Sequence, residues 1–360
     1  MSVLRAVPGT AQAVLAALGE ALSGRGKAFV PVPGEESLAR RVMAAARPDL
    51  PLETACAVVL PTSGSTGEPK AVLLSAGALR ASAAATHERL GGPGQWLLAM
   101  PPYLVAGLQV LTRSVLAGTT PVVARGNFAA AAAELTGERR YAAIVPTQLG
   151  RLLETAPGAL RSFDAVLVGG AATPPALLAR VRDAGVRVVT TYGMTETGGG
   201  CVYDGVPLDG VTAEVVDGRV VLGGPTLFSG YRLRPDLTAE ALVDGRFLTQ
   251  DTGRIVDGRL EVLGRLDDVV VSGGVNVALP AVQRRVLEHP RVSDAVVLGV
   301  PDEEWGSRVV AYLVGPVPLD ELRDFVAEAL PRTWAPRQVV VLEELPMLAS
   351  GKIDRQALLS

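Results

Sequence analysis

Between Leu60 and Lys70 the chain reads Pro61-Thr62-Ser63-Gly64-Ser65-Thr66-Gly67-Glu68-Pro69. Ser63, Ser65 and Thr66 supply hydroxyls, Gly64 and Gly67 let the backbone turn its N–H groups inward, and Lys70 adds a cation. Those parts make an anion cradle suited to phosphate. The stretch is not the Gly-Lys-Ser/Thr loop of ordinary kinases and P-loop ATPases, because no such triplet opens a helix here. A flexible Ser/Gly turn would have a similar composition but no use for Lys70. That lysine is informative because only Lys27, Lys70 and Lys352 depart from arginine among the 34 basic residues. An ammonium is a compact charge on a flexible stem and does what a planar guanidinium does not. Lys27 lies in a Gly-rich turn and reads as a surface residue.

The elements that must position these groups follow from periodicity. Short apolar runs at Ala55–Leu60, Trp96–Met100, Thr120–Val123, Ala142–Val145, Ala165–Val168 and Val186–Thr190 read as strands. Between them Ser75–Arg89, Gln109–Ala117, Phe128–Leu135, Thr147–Thr155 and Pro174–Ala184 carry helical spacing. Strands alternating with helices imply an α/β fold of parallel sheets, and the phosphate loop is expected between a strand and a helix. From Gly210 to Val262 helices are not expected, and Asp217-Gly218, Asp244-Gly245 and Asp257-Gly258 mark hairpins of a β-rich subdomain. After Asp268 a strand, a helix at Leu279–Glu288, strands at Ala295–Val300 and Ser307–Val314, a helix at Leu319–Leu330 and a strand at Gln338–Leu342 suggest a small α+β domain. The expected division is a large domain at 1–266 and a second at 267–360.

Composition narrows the class. Hydrophobic residues at 48% and charged residues at 20% suit a globular protein with a large core. A net charge of −3 leaves no footprint for nucleic acid or an anionic membrane. No apolar run approaches the roughly 20 residues of a membrane helix. The apolar Ala11–Leu18 is short and followed by Gly19-Glu20, which favours a packed helix over a signal peptide; the expected location is the cytoplasm. Cys56 and Cys201 are far apart and read as free thiols. With only His87 and His289 present, general-base histidine chemistry is not expected.

The string Thr62–Lys70 resembles the signature loop of the adenylate-forming superfamily, which holds acyl-CoA synthetases, luciferases and peptide-synthetase adenylation domains. The resemblance extends from about residue 55 through most of the chain. It implies that Thr62, Ser63, Gly64, Ser65, Thr66, Gly67 and Lys70 hold ATP phosphates. Gly169-Gly170-Ala171-Ala172 resembles the loop lining the adenine pocket, although any strand-to-helix turn can be rich in Gly and Ala. In Thr191-Tyr192-Gly193-Met194-Thr195-Glu196 the resemblance implies that Tyr192 stacks on adenine beside Gly193 and Met194. It gives Thr195 the phosphate and Glu196 the Mg²⁺. A flat aromatic and a hard oxygen ligand suit those tasks. Asp251 and Arg265 resemble the ribose-binding pair, Asp267 the hinge about which the C-terminal domain swings between two half-reactions, and Ser272-Gly273-Gly274 the loop shaping the CoA channel. Pro280-Ala281-Val282-Gln283 departs from the family by lacking the usual acidic residue there. Leu345–Arg355 resembles the last family motif, whose lysine, here Lys352, holds carboxylate and α-phosphate in line and offsets transition-state charge.

Pro102–Gly107 takes the place of an aromatic-His stretch, with Leu104 where histidine is often found and Gly107 opening the next helix. Arg113 lies on that otherwise apolar helix. A cation there is costly unless paired; it either snorkels to the surface or recognises a second carboxylate on the substrate. The helix resembles that of the o-succinylbenzoate–CoA ligases of menaquinone synthesis, whose compact actinobacterial members share this length and Ala/Arg-rich composition. The implied activity is an ATP-, Mg²⁺- and CoA-dependent, AMP-forming acid–thiol ligase acting on a small carboxylic acid. Another short, medium-chain or aryl acid, a carrier-loading adenylation domain and a non-catalytic nucleotide-binding protein remain as alternatives, and a homodimer is left open.

Overall fold

The computed structural model describes residues 4–62, 70–348 and 353–359, with the backbone alone at Asp267. Two compact units emerge, one of residues 1–213 and 221–248, the other of 214–220 and 249–360.

The first unit holds two sheets. The smaller runs Arg5–Pro8, Phe29–Val32, Val58–Thr62, Lys70–Leu74, Gly230–Tyr231; the first three strands are parallel and the rest antiparallel. The segment before residue 55 thus builds sheet, with the helices Ala11–Leu22, capped by the Thr10 hydroxyl, and Glu36–Ala46 alongside. The larger sheet runs Val206–Pro207, Gly199–Tyr203, Val188–Met194, Ala165–Gly169, Arg140–Ile144, Gln95–Leu98, Val122–Val123. From Val188–Met194 onward these strands are parallel, joined through helices as the alternation implies. They are near-continuous apolar runs because both faces are covered. Leu97, Ala142, Ile144, Val166 and Val168 are all buried in one cluster with Leu149 and Leu160 from the covering helices and Phe163 just beyond them.

Two helices position the site. Ala76–Leu90 starts at Ser75, whose hydroxyl accepts from Ala78 N, and stops at Gly91 in a left-handed conformation. Val105–Ala117 ends at Gly118 and packs against that helix. Two expectations need correction here. The phosphate loop does not lead straight into a helix: Lys70–Leu74 returns as a strand antiparallel to Val58–Thr62, and the helix follows it. Its five residues, four of them apolar and buried, merge in sequence with the helical run behind. Nor is 210–262 free of helix, because Pro235–Ala241 forms one, with Pro235 in its first turn and Asp236 beside it.

A further sheet runs Thr212–Val216, Arg219–Gly223, Arg246–Val256, Leu242–Val243, with Arg259–Arg265 paired to Arg246–Val256. The three Asp-Gly turns are hairpins as read, with left-handed φ at both residues of each (50° and 79° at Asp217-Gly218). In the second unit Val275–Ala278, Val269–Ser272, Gly306–Val314 and Asp294–Asp302 form a sheet, with Gln338–Leu342 parallel to Gly306–Val314. The helices Leu279–Leu287 and Leu319–Ala327 pack on it through Val282, Val286, Leu322 and Val326. The fold class is the one expected: a large α/β portion with β-rich parts and a small α+β portion.

Candidate active site

The site of the first unit forms at the carboxyl ends of the parallel strands, where open α/β sheets bind ligands. Ala165–Gly169 and Val188–Met194 are neighbours, with Gly169 opposite Thr191, so the Gly169-Gly170-Ala171 turn and the Tyr192–Glu196 segment lie side by side. The approach is close enough to require glycine: a Cβ on Gly169 would sit 2.2 Å from Thr191 Oγ1, and one on Gly193 would sit 2.1 Å from the Gly199 carbonyl oxygen. Gly170 adopts a φ of 83°, and Gly170 and Ala171 are exposed. Tyr192, Met194, Thr195 and Glu196 are all half-buried. Thr195–Thr197 form a single 3-10 turn, fixed by the Thr197 hydroxyl, which takes the Met194 N–H at 2.9 Å and donates to the Gly199 carbonyl.

Groups from the smaller sheet meet this turn. Thr62 closes its strand opposite Lys70, and its hydroxyl donates to the Lys70 carbonyl at 3.4 Å. The Lys70 ammonium lies 5.2 Å from the ring centre of Tyr231, and the Tyr231 hydroxyl donates to Glu196 Oε1 at 2.9 Å. Burial and the Glu196 carboxylate push the Tyr231 phenol well above its usual range, so it stays a donor. Ser63, Gly64, Ser65, Thr66, Gly67 and Lys352 lie outside the described residues.

The helix Val105–Ala117 borders the same turn. A Cβ on Gly107 would meet the Pro101 carbonyl oxygen at 2.2 Å, which fixes the entry of the chain after Leu104. Gln109, buried, donates its amide to the Gly198 carbonyl at 2.6 Å, and the Ser82 hydroxyl reaches the same oxygen at 3.2 Å. Two helices thus grip the residue that ends the Thr195–Thr197 turn. One turn beyond Gln109, Arg113 is 3% exposed, so the snorkelling reading is wrong. Its guanidinium lies 4.8 Å over the Trp96 ring and donates to the Tyr203 hydroxyl at 3.4 Å, while Nε has no partner. Among the described residues no carboxylate pairs with it. Around it His87 Nε2, Trp96 Nε1 and Gln109 Oε1 are also buried without partners. His87 is held down to about 4, chiefly by burial and then by Arg113. This is a buried polar cluster with one cation, Arg113, at its centre. Sequence reading found only Arg113 of this group; Tyr231, Gln109, His87 and Trp96 were missed, because their partners are distant in the chain.

The second unit carries its own groups. Arg265 Nη1 is 3.7 Å from Asp251 Oδ1, on paired strands that place the two residues opposite one another. The Pro280 ring fills the space where a side chain on Gly264 would stand. Asp267 lies in the 3-10 turn Leu266–Asp268. Ser272 is buried with its hydroxyl unpartnered, and Gly273, at φ 58°, is covered by Trp305 next to Gly274. Cys56 and Cys201 are free, and burial pushes both thiols up to about 12, which keeps them inert.

Among the described residues no group of three or more His, Cys, Asp or Glu gathers to hold a metal. The donor chemistry present, one carboxylate at Glu196 held by Tyr231 with the Lys70 ammonium over the same ring, fits Mg²⁺ carried on nucleotide phosphates rather than a protein cage. No helix of the described residues is long and apolar enough to cross a membrane.

Residues 22–232 match the AMP-binding enzyme family, and residues 282–352 match the AMP-binding enzyme C-terminal domain. A probable 2-succinylbenzoate–CoA ligase of Mycobacterium tuberculosis is 45% identical, the match covering 99% of this chain and 97% of that protein. A 2-succinylbenzoate–CoA ligase of Bacillus cereus is 34% identical over 85% of this chain and 70% of its own. Among solved structures, o-succinylbenzoate CoA synthetase from Bacillus subtilis with the acyl-adenylate intermediate superposes at a TM-score of 0.76. It is 27% identical, over 99% of this chain and 82% of that one. ATP-bound MatB from Rhodopseudomonas palustris superposes at 0.84 with 22% identity, a likeness of fold alone. From its strand-end site to its C-terminal domain, the chain belongs to the AMP-binding enzyme family and is an AMP-forming ligase.

Proposed function

We propose that the chain joins 2-succinylbenzoate to coenzyme A at the expense of ATP, through an acyl-adenylate, in menaquinone biosynthesis. The observation that carries the substrate is Arg113: a buried guanidinium with an unpartnered Nε and no carboxylate beside it among the described residues. An uncompensated cation in the core is costly, and a dicarboxylate substrate supplies the missing anion. The similarity to 2-succinylbenzoate–CoA ligases over nearly the whole chain supports the same reading.

In the first half-reaction the ionised carboxylate attacks the α-phosphorus of ATP, and pyrophosphate leaves. Lys70, with Thr62, Ser63, Gly64, Ser65, Thr66 and Gly67, cradles the leaving phosphates, and Thr195 binds beside them. Bound with ATP, Mg²⁺ offsets phosphate charge, and Glu196 is the residue to hold it. Tyr192 stacks on adenine, with Gly169, Gly170, Ala171, Gly193 and Met194 forming the walls, and Asp251 takes the ribose hydroxyls with Arg265 in support. Lys352 bridges carboxylate and α-phosphate, lowering the cost of charge that develops between them. Gly107 and Leu104 line the acyl side. In the second half-reaction the CoA thiol attacks the acyl carbon and AMP departs; Ser272, Gly273 and Gly274 shape the thiol's approach. We assign the change between them to residues 267–360 turning about Asp267, which carries Lys352 away once its work is done. With ATP and CoA as co-substrates, the cytoplasm is the working compartment; neither nucleic acid nor membrane is a partner.

The test is an ATP- and CoA-dependent turnover screen with 2-succinylbenzoate, benzoate, octanoate and about a dozen further acids. A preference of at least about a hundredfold in kcat/KM for the diacid is expected; a monocarboxylate turned over better would reassign the substrate.

A further inference from the structure

Tyr231 belongs to none of the motifs, yet it touches two groups that the proposed mechanism sends to the triphosphate. Its hydroxyl donates to Glu196 Oε1 at 2.9 Å, and the Lys70 ammonium stands 5.2 Å from its ring centre. The ring is fixed on every side the structure describes. Tyr231 is 7% exposed and pairs with Val72, two residues along the strand that Lys70 begins. Its N–H goes to the Thr238 hydroxyl at 2.9 Å, and the Phe228 ring packs on it at 4.9 Å between centres. Phe228 in turn gives its N–H to the Glu196 carbonyl at 2.8 Å, so side chain and backbone of Glu196 are tied to the same short segment.

The next residue anchors that segment. Arg232 spends its guanidinium on the carbonyls of Ala46, Arg47, Leu50 and Pro51, and on the Glu53 carboxylate. An arginine saturated by backbone oxygens is a structural fastening, and it leaves Tyr231 little freedom to follow a mobile partner.

We propose that Tyr231 is a positioning residue that sets Glu196 and Lys70 at once: its hydroxyl orients the carboxylate, and its ring face seats the ammonium. The inference rests on Glu196 and Lys70 serving Mg²⁺ and phosphate as assigned above. The division of labour within one side chain makes it testable. Tyr231→Phe removes the hydroxyl and keeps the ring; Tyr231→Leu removes both.

The readout is calorimetric binding of α,β-methylene-ATP, which does not react, at stepped Mg²⁺ concentrations. Tyr231→Phe is expected to raise the Mg²⁺ concentration at half-saturation about tenfold, the worth of a hydrogen bond to a charged group. Its Mg²⁺-free affinity stays within about twofold of the parent. Tyr231→Leu is expected to show the same Mg²⁺ shift and to lose about three- to fivefold more affinity without Mg²⁺, from the vacated cation–π seat. A Phe variant with the parent's Mg²⁺ dependence overturns the proposal, as does a Leu variant indistinguishable from Phe. Should the Leu variant not fold, the Phe comparison alone decides the carboxylate half. Glu196→Gln separates the two levels. If it shifts the Mg²⁺ dependence and Tyr231→Phe does not, the tyrosine proposal alone fails; if Glu196→Gln has no effect, the assignment of Glu196 fails with it.

Discussion

Replacing Arg113 with methionine should make the protein more stable and a worse enzyme for its own substrate. Methionine keeps the stem as far as the ε position, carries no charge and is flexible enough to settle against Trp96. The substitution removes a buried cation that no carboxylate among the described residues compensates. Exchanging buried charge for well-packed apolar volume typically ranges from neutral to about 4 kcal/mol stabilising. Against that stand the contact over Trp96 at 4.8 Å, worth about 0.5–2 kcal/mol, and the long 3.4 Å bond to Tyr203, worth about 1 kcal/mol at most. The Tyr203 hydroxyl keeps Thr86 as a partner at 3.0 Å, so nothing new is orphaned there. At its favourable end the balance is a gain of about 3 kcal/mol, read as a rise in Tm of about 6–12 °C for a unit of this size. Binding of a dicarboxylate should lose its charge-assisted contact with the guanidinium, about 2–4 kcal/mol, or roughly 30- to 1000-fold in kcat/KM. Benzoate, which has no second carboxylate, should change less than about threefold. Thermal unfolding and steady-state kinetics on both acids are the assays. A variant that melts lower and loses both acids alike would refute the reasoning and make Arg113 a structural residue.

Other outcomes follow from neighbouring groups. Lys352→Ala should abolish substrate-dependent pyrophosphate exchange into ATP, yet leave the reaction of preformed acyl-AMP with CoA within about threefold of the parent; normal exchange would remove the role given to Lys352. His87 is held at about 4 against an ordinary 6.5 by burial and by Arg113. The unfolded imidazole therefore binds a proton that the folded one refuses, so stability present above 6.5 declines as pH falls toward 4. His87→Gln should flatten that decline in pH-dependent unfolding. Proton NMR of the two histidines should show the His87 midpoint rising in Arg113→Met; an unmoved midpoint would break the coupling. Gly193→Ala places a methyl 2.1 Å from the Gly199 carbonyl oxygen and should depress ATP binding by more than about tenfold in calorimetry. Unchanged binding would mean the Tyr192–Glu196 segment adapts.

What could be read from the chain, and what could not, divides along the distance between partners. Each Asp-Gly turn carries its own reason for being a turn, since both residues must take left-handed φ, and all three are hairpins. The buried parallel strands of the larger sheet were equally plain, because burial on both faces writes itself as an unbroken apolar run; Arg5–Pro8 and Phe29–Val32 of the smaller sheet went unread. Lys70–Leu74 was obscured because a short buried strand and the start of an apolar helix look alike over five residues. The helix Pro235–Ala241 was hidden behind a proline that belongs to its first turn. Arg113 was visible as an anomaly, but not its burial: the helix Val105–Ala117 is apolar around most of its circumference, so its pattern does not say which face meets water. Tyr231 carried no local signal, since Glu196, the residue it orients, is 35 positions away and reached only through the fold.

The central claim is that a carboxylate of 2-succinylbenzoate is activated as an adenylate before CoA attacks. Isotope transfer tests it most directly. When the carboxylate oxygens of the substrate carry ¹⁸O, the acyl–AMP bridge is built from one of them and leaves with AMP. Mass spectrometry of the products of a complete ATP, Mg²⁺ and CoA reaction should find one labelled oxygen in AMP and none in pyrophosphate. ADP with label in inorganic phosphate, or AMP without label, would contradict the account.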